Sequence, residues 1–370
     1  MASLYTTVVR PVLFRFNPEL VHNGTVEMCR LGGYIPGVAG VARACLQSNH
    51  AALEGEIAGL QFSNPIGLAA GWDKSGRALS MLDALGFGFV EIGSVSARSS
   101  QGNPRPRLFR LTQDQGIVVN YGLPNDGAEV VRNRLLRHRS RVPLGVNVVK
   151  TNDGPNAPAC QQDQILADYV SSVSLLHRHA QYVMLNLSCP NASGGKEVFA
   201  RPGSIRELLI RLSPLNIACP VFLKVAPHDA PAAHERLLDE CEDFAFVRGF
   251  CFNLPAGKPD SLRLVTPREL FRDMPGAVAG KPVEALLNRC LAGLYSQMDR
   301  QRYVIIGSGG VSTAMDAYHK IRLGASLVQV YTALVYHGPR IAKQINDGLV
   351  ALLQRDGFTH ISQAVGTAHD

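Results

Sequence analysis

The chain has no CxxC pair and no His/Cys spacing that suggests zinc, so no metal framework organises it. No GxGxxG follows the first buried segment, which weighs against a dinucleotide-binding half. No apolar run reaches the length of a transmembrane helix, and no signal peptide with a cleavage site is found. Internal repeats and low-complexity segments are also missing. Charged residues make up only 18% of the chain, and its net charge of +7 is moderate. Arg132, Arg134, Arg137, Arg139 and Arg141 lie close together, but no aromatic residues interleave with them. That pattern reads as a solvated helix face and, with no accompanying binding motif, weighs against a nucleic-acid partner. With 35 glycines and 22 prolines, usage is near average, so the chain is neither fibrous nor disordered. Most of the eight cysteines sit in apolar stretches, as thiols do in a reducing compartment.

What is present is a large core and a regular rhythm. The 370 residues are 46% hydrophobic. From Ile57 onward, short apolar runs alternate with helical patterns. The strand candidates are Ile66–Ala69, Phe89–Ile92, Leu144–Val148, Tyr182–Leu187, Val221–Val225, Arg248–Phe252, Tyr303–Ile306 and Leu327–Tyr331. Helices are expected at Lys74–Leu85, Asp168–His179, Ile205–Leu212, Pro231–Cys241, Val283–Met298 and Thr313–Leu323. Eight strands alternating with helices make an α/β protein, a (β/α)8 TIM barrel, with a doubly wound sheet as the competitor. Gly257 to Gly280 reads as a long irregular insertion. Before the barrel, Asn17-Pro18 opens a helix that Gly32-Gly33 closes, and Val38–Leu46 forms a second apolar segment. This extension reads first as a packing arm, with a membrane-interface role as the alternative.

The residues that follow each strand candidate point to chemistry. Ala70, Gly71 and Lys74 follow the first, Ser94 the second. Asn147 ends the third, and Asn186, Ser188, Cys189 and Asn191 end the fourth. Lys224 and Asn253 end the fifth and sixth; Gly307, Gly309 and Gly310 follow the seventh, and Tyr331-Thr332 the eighth. Any one could be a satisfied core polar group or, for Cys189, a structural thiol. Together, on the face where barrels place active sites, they imply a polar ligand. The glycines, with Ser312-Thr313 opening the next helix, suit a phosphate. FMN, a sugar phosphate or pyridoxal phosphate would each satisfy that site. Lys74 and Lys224 could neutralise an electron-rich ring.

The segments NPIGLAAGWDKSG, GFGFVEIGSVSARSSQGNPRPRLFRL, GVNVVK, LNLSCPN, LKVAP, IIGSGGVST and GASLVQVYTAL resemble the dihydroorotate dehydrogenase family in its membrane-associated class 2 form. The resemblance implies a barrel over residues 51–370 that binds FMN, and a membrane and quinone-tunnel segment over 1–50. It implies FMN contacts at Ala70, Gly71, Lys74, Ser94, Asn147, Asn186, Lys224, Gly280, Gly309, Gly310, Tyr331 and Thr332. Lys74, Asn186, Asn191 and Asn253 match substrate-holding positions. Cys189 falls at the catalytic base, with Lys74 beside it as the second catalytic position. His22 and Arg110 match polar positions near the quinone tunnel. The implied location is peripheral, on the cytoplasmic side of the inner membrane, or cytoplasmic.

Departures from the family pattern alter the expected substrate. Cys189 stands where class 2 members carry serine, a choice that resembles class 1. Val119 replaces an asparagine, with Asn120 one place along. Ala192 replaces a threonine, Phe252-Asn253-Leu254 a Thr-Asn-Thr run, and Ala279 a serine. Each lost partner costs about 1–3 kcal/mol if a ligand group is left unpaired. The expectation is an FMN-dependent oxidoreductase moving hydride between flavin N5 and a CH–CH or C=C unit beside a carbonyl. Its substrate is carbonyl- or imide-bearing but less polar than dihydroorotate, and quinone is the electron partner. The alternatives are a genuine quinone-dependent dihydroorotate dehydrogenase and a non-redox phosphate-binding aldolase or isomerase.

Overall fold

The fold is that of a computed structural model describing residues 4–154, 156–158, 160–191 and 195–369. Eight parallel strands close into a barrel: β1 (Ile66–Leu68), β2 (Phe89–Val95), β3 (Leu144–Val148), β4 (Tyr182–Asn186), β5 (Val221–Val225), β6 (Val247–Phe252), β7 (Val304–Gly307) and β8 (Ala325–Val330). They pair in chain order, and β8 closes on β1 through Val328 opposite Ile66 and Val330 opposite Leu68. Both faces of these strands are buried, which is why they read as continuous apolar runs. Phe89, Tyr182, Met184, Phe222, Cys251, Ile306 and Leu327 fill the barrel interior. Glycine makes room for that aromatic layer: a Cβ on Gly67 would lie 2.2 Å from the Phe89 ring, and one on Gly145 2.0 Å from Tyr182. A hairpin, Gly55–Ile57 with Leu60–Phe62, adds Phe62 against Phe89 at 5.6 Å between ring centroids.

Two expectations are corrected. The helix expected over Lys74–Leu85 shrinks to Leu79–Leu82. Asp73 takes the backbone N–H groups of Ser75, Arg77 and Ala78, so its carboxylate holds a loop together where helical bonds would form. The Gly257–Gly280 segment is not irregular throughout. Its last residues, Ala277–Gly280, form a strand antiparallel to Gly116–Val119, which also pairs with Leu108–Leu111. In this three-stranded sheet Val119 is opposite both Leu108 and Ala277.

The N-terminal arm is helical from Tyr5, earlier than the sequence suggested. Its helices α1 (Pro18–Tyr34) and α2 (Val38–Leu46) follow, with the Asn17 side chain capping the Glu19 and Leu20 amides. Buried Glu19 fastens α1 to the barrel through Arg107 at 2.7 Å and Arg105 at 3.1 Å. Arg110 donates to the Phe14 and Phe16 carbonyls, and Tyr5 to that of Val335. The outward side of the arm is strongly apolar. Leu4, Val8, Val12, Phe16, Leu20, Met28, Leu31, Tyr34, Ile35 and Val41 are all at least half exposed. Among the described residues no helix is long and apolar enough to cross a membrane.

Candidate active site

A cavity opens at the carboxyl ends of the barrel strands, under the three-stranded sheet. It encloses about 1280 Å³ of non-atom space, part of it open to solvent. The barrel supplies Ala70, Gly71, Lys74, Ser94, Asn186, Cys189, Asn191, Lys224 and Asn253. The sheet supplies Ile117, Val119, Ala279 and Gly280, while Leu254, Gly309, Gly310, Tyr331 and Thr332 complete the wall. Most residues singled out from the sequence therefore meet around one space. Asn147 lies a layer deeper, fully buried behind Ser94. Asn120 does not line the cavity: its side-chain Oδ1 accepts from Asn103, which also donates to the Asn191 backbone carbonyl. Tyr121, one residue further, takes the place at the wall. Ala192 lies outside the described residues. His22 and Arg110 line no part of this cavity; His22 stands behind its wall, against Lys74, Tyr121 and Tyr331.

A chain of buried hydrogen bonds runs beneath the floor. Glu91, 1% exposed inside the barrel, accepts from Asn147 at 2.9 Å, Gln329 at 2.7 Å and Tyr182 at 3.2 Å. Ser94 donates to Asn147 Oδ1 at 2.5 Å, Asn186 to Ser94 Oγ at 3.0 Å, and Asn253 to Asn186 Oδ1 at 2.9 Å. A carboxylate only accepts, so it dictates the sense of every link above it. Asn147 must show its amide N–H downward, hence its oxygen upward; Ser94 must then donate, and so must Asn186 and Asn253. Asn253 also donates to Ser188 at 3.3 Å and accepts from the Leu254 amide at 2.9 Å. Ser188 is in turn tied to the Lys224 carbonyl, and Tyr169 donates to the Asn186 carbonyl at 2.5 Å. The segment bearing half-buried Cys189 is thus held from below and behind. Glu91 is not among the residues expected at the site from the sequence, although an acid inside the apolar run FVEIGSV is a signal that something must bond it. Asn191 has the opposite status: its Oδ1 is buried with no partner among the described residues, as an atom reserved for a ligand would be.

The phosphate cradle is narrower than the sequence suggested. The Ser312 and Thr313 amides donate to Asp316, itself paired with Lys281 at 2.7 Å, so that helix start is already occupied. What remains is the turn at Gly309 and Gly310, with φ of 77° and 79°, facing Gly280 and the start of the short helix Thr332–His337. A Cβ on Gly310 would lie 2.3 Å from the Glu284 side chain, and one on Gly280 2.9 Å from Thr332. Backbone donors with Lys74, Lys224, Ser94 and Asn186 around one cavity fit FMN. Lys74 and Lys224 offer positive charge, Ser94 and Asn186 offer polar edges for the ring, and the glycine turn suits the phosphate.

A (β/α)8 barrel with a thiol, amides and lysines at its strand ends and a glycine phosphate cradle has the framework of an FMN-dependent oxidoreductase. The dihydroorotate dehydrogenase family profile matches residues 52–353. A dihydroorotate dehydrogenase (quinone) from Roseiflexus sp. (strain RS-1) is 36% identical over 372 residues, covering 99% of each chain. One from Mycobacterium sp. (strain KMS) is 36% identical over 97% of this chain and 98% of its own. The crystal structure of the Eimeria tenella enzyme in complex with ferulenol superposes with a TM-score of 0.82 at 30% identity, over 98% of this chain and 99% of that one. The chain belongs to the dihydroorotate dehydrogenase family, FMN-dependent oxidoreductases that act on CH–CH bonds.

Proposed function

We propose that this protein exchanges hydride and a proton across a CH–CH unit beside a carbonyl, on a substrate less polar than dihydroorotate. The observation that carries the reading is the composition of the cavity wall. Val119, Ile117, Leu254 and Ala279, which belong to one apolar cluster, line it together with Lys74, Asn186, Asn191 and Asn253. The polar set can hold a carbonyl or imide edge, and the apolar set has no polar side-chain atom to offer a ring or carboxylate. When bound, FMN supplies the hydride acceptor. Asn186 has a second amide hydrogen beyond the one given to Ser94, and Asn253 a carbonyl lone pair beyond the one used by Leu254. A ligand edge with an acceptor beside a donor matches that pair. Cys189 Sγ takes the proton from the carbon beside the carbonyl and returns it in the reverse direction. A thiol is more acidic than a serine hydroxyl and reaches its basic form with less help. The test is anaerobic flavin titration with a panel of dihydro-heterocycles and enones; a panel that leaves the flavin oxidised while dihydroorotate bleaches it refutes the reading.

Quinone as electron partner and a peripheral place on the membrane belong to the same proposal. They are supported by the exposed apolar residues concentrated on the arm. Replacing Val12, Leu20 and Leu31 by serine should abolish co-flotation with phospholipid vesicles and leave flavin content unchanged. A second reading, a genuine quinone-dependent dihydroorotate dehydrogenase, is favoured by the name carried by relatives that match over nearly their full length.

A further inference from the structure

The strand-end lysine of the cavity has a partner from outside the barrel. Lys74 Nζ lies 2.9 Å from Nε2 of His22, which sits on α1 in the arm, 52 residues earlier. The imidazole stands in an aromatic enclosure: its centroid is 6.1 Å from that of Trp72, 5.9 Å from Tyr121 and 6.4 Å from Tyr331. Lys74 Nζ itself rests 4.0 Å over the Tyr121 ring. On the far side of Lys74 and Tyr121 is a separate cleft lined by His22, Trp72, Ser100 and Arg107. Lys74 and Tyr121 thus form part of the partition between that cleft and the active-site cavity. The arm is fixed in place by the Glu19–Arg107 pair, three residues before His22.

We propose that His22 is a positioning residue for Lys74, so that the N-terminal arm completes the flavin and substrate site instead of serving only as a path for an electron acceptor. A lysine ammonium has donors and no acceptor, so the imidazole accepts at Nε2 and points the remaining ammonium hydrogens toward the cavity. The inference rests on the reading that Lys74 faces flavin and substrate, but the His22 contact is a property of the chain itself. The groups facing Lys74 are Asp73 from its own loop, Glu19 and His22 from α1, and Arg107 and Tyr121 from the segments over the barrel mouth. Burial outweighs the two acids and brings the lysine to about 7, while burial and Lys74 hold His22 well below its usual value. At 2.9 Å the two groups do not both carry charge, and the imidazole, held below its usual value, is the acceptor.

Two variants of the FMN-loaded full chain separate this role from packing. His22→Phe keeps a ring among Trp72, Tyr121 and Tyr331 and removes the acceptor. His22→Gln loses the ring and keeps an acceptor oxygen. With lysine-selective ¹³C labelling, assigned by Lys74→Met, the Lys74 titration should fall by about one pH unit in His22→Phe, a tenfold loss of proton affinity. It should stay near the wild-type position in His22→Gln. The pH dependence of the flavin midpoint potential, measured with redox dyes and no quinone, should change in the same order. An unchanged or raised Lys74 titration in His22→Phe, or a larger loss in His22→Gln, overturns the proposal. Wild-type protein without flavin absorbance would instead overturn the flavin reading and leave the Lys74 titration to decide the His22 contact on its own.

Discussion

Glu91→Gln is the perturbation that bears most directly on how the floor of the site is built. The carboxylate accepts from three donors, Asn147, Gln329 and Tyr182. Glutamine keeps one acceptor oxygen but places an NH2 against donors on its other side. Tyr182 can turn its hydroxyl and accept; Gln329 cannot do so while holding its present amide orientation. One buried donor left unsatisfied costs about 1–3 kcal/mol, and losing charge assistance on the other bonds adds about 1 kcal/mol. We expect a loss of about 2–4 kcal/mol, or ~3–5 °C in Tm for a chain of this length at roughly 2 cal/mol/K of unfolding entropy per residue. Ser94→Ala cuts the same chain two links higher, between Asn147 and Asn186. Because Glu91 fixes the sense of all the links, the two changes should not add. In denaturant unfolding of the FMN-loaded protein, the double variant should lose about 1 kcal/mol less than the sum. Full additivity, or a Glu91→Gln protein as stable as wild type, would refute the polarised chain.

Further expectations follow from the same geometry. Cys189→Ala should retain FMN and slow flavin reduction by about 100-fold or more, the range of a lost general base; stopped-flow reduction at the wild-type rate rules out the assigned role. Val119→Asn combined with Leu254→Thr should tighten dihydroorotate binding by roughly 10- to 100-fold, one hydrogen bond of about 1 kcal/mol each. Equilibrium titration of the flavin spectrum reads this, and an unchanged affinity removes these two positions from the account of specificity. Lys74 should also leave a mark on stability. Its native value of about 7 lies below the ordinary lysine value of about 10.4, so between these the unfolded chain binds more protons. Stability from this group should therefore rise with pH from about 7 to about 10 and be flat below 7, and Lys74→Met should abolish that slope in denaturant titrations at successive pH values.

The barrel was legible because parallel strands covered on both faces are uninterrupted apolar runs, and polar residues following them mark one end of the barrel. Cys189, Asn186 and Asn253 could be placed by that logic alone. Elements whose form depends on distant partners were not legible. Ala277–Gly280 is four small residues, and only the edge offered by Gly116–Val119 makes it a strand. Lys74–Leu85 has helical periodicity, but the Asp73 carboxylate claims the amides of the first turn. Asn120 is polar at a site position, yet Asn103 claims its side chain. The His22–Lys74 contact joins residues 52 apart through a docked arm, and nothing local in either segment encodes it.

The central proposal is that the Val119, Leu254 and Ala279 wall turns dihydroorotate away. Anaerobic mixing of the yellow, FMN-loaded protein with dihydroorotate, followed at the flavin absorbance maximum, measures this directly. We expect little or no bleaching at micromolar dihydroorotate and reduction by a less polar carbonyl-bearing dihydro compound. Rapid, complete bleaching by micromolar dihydroorotate would contradict it.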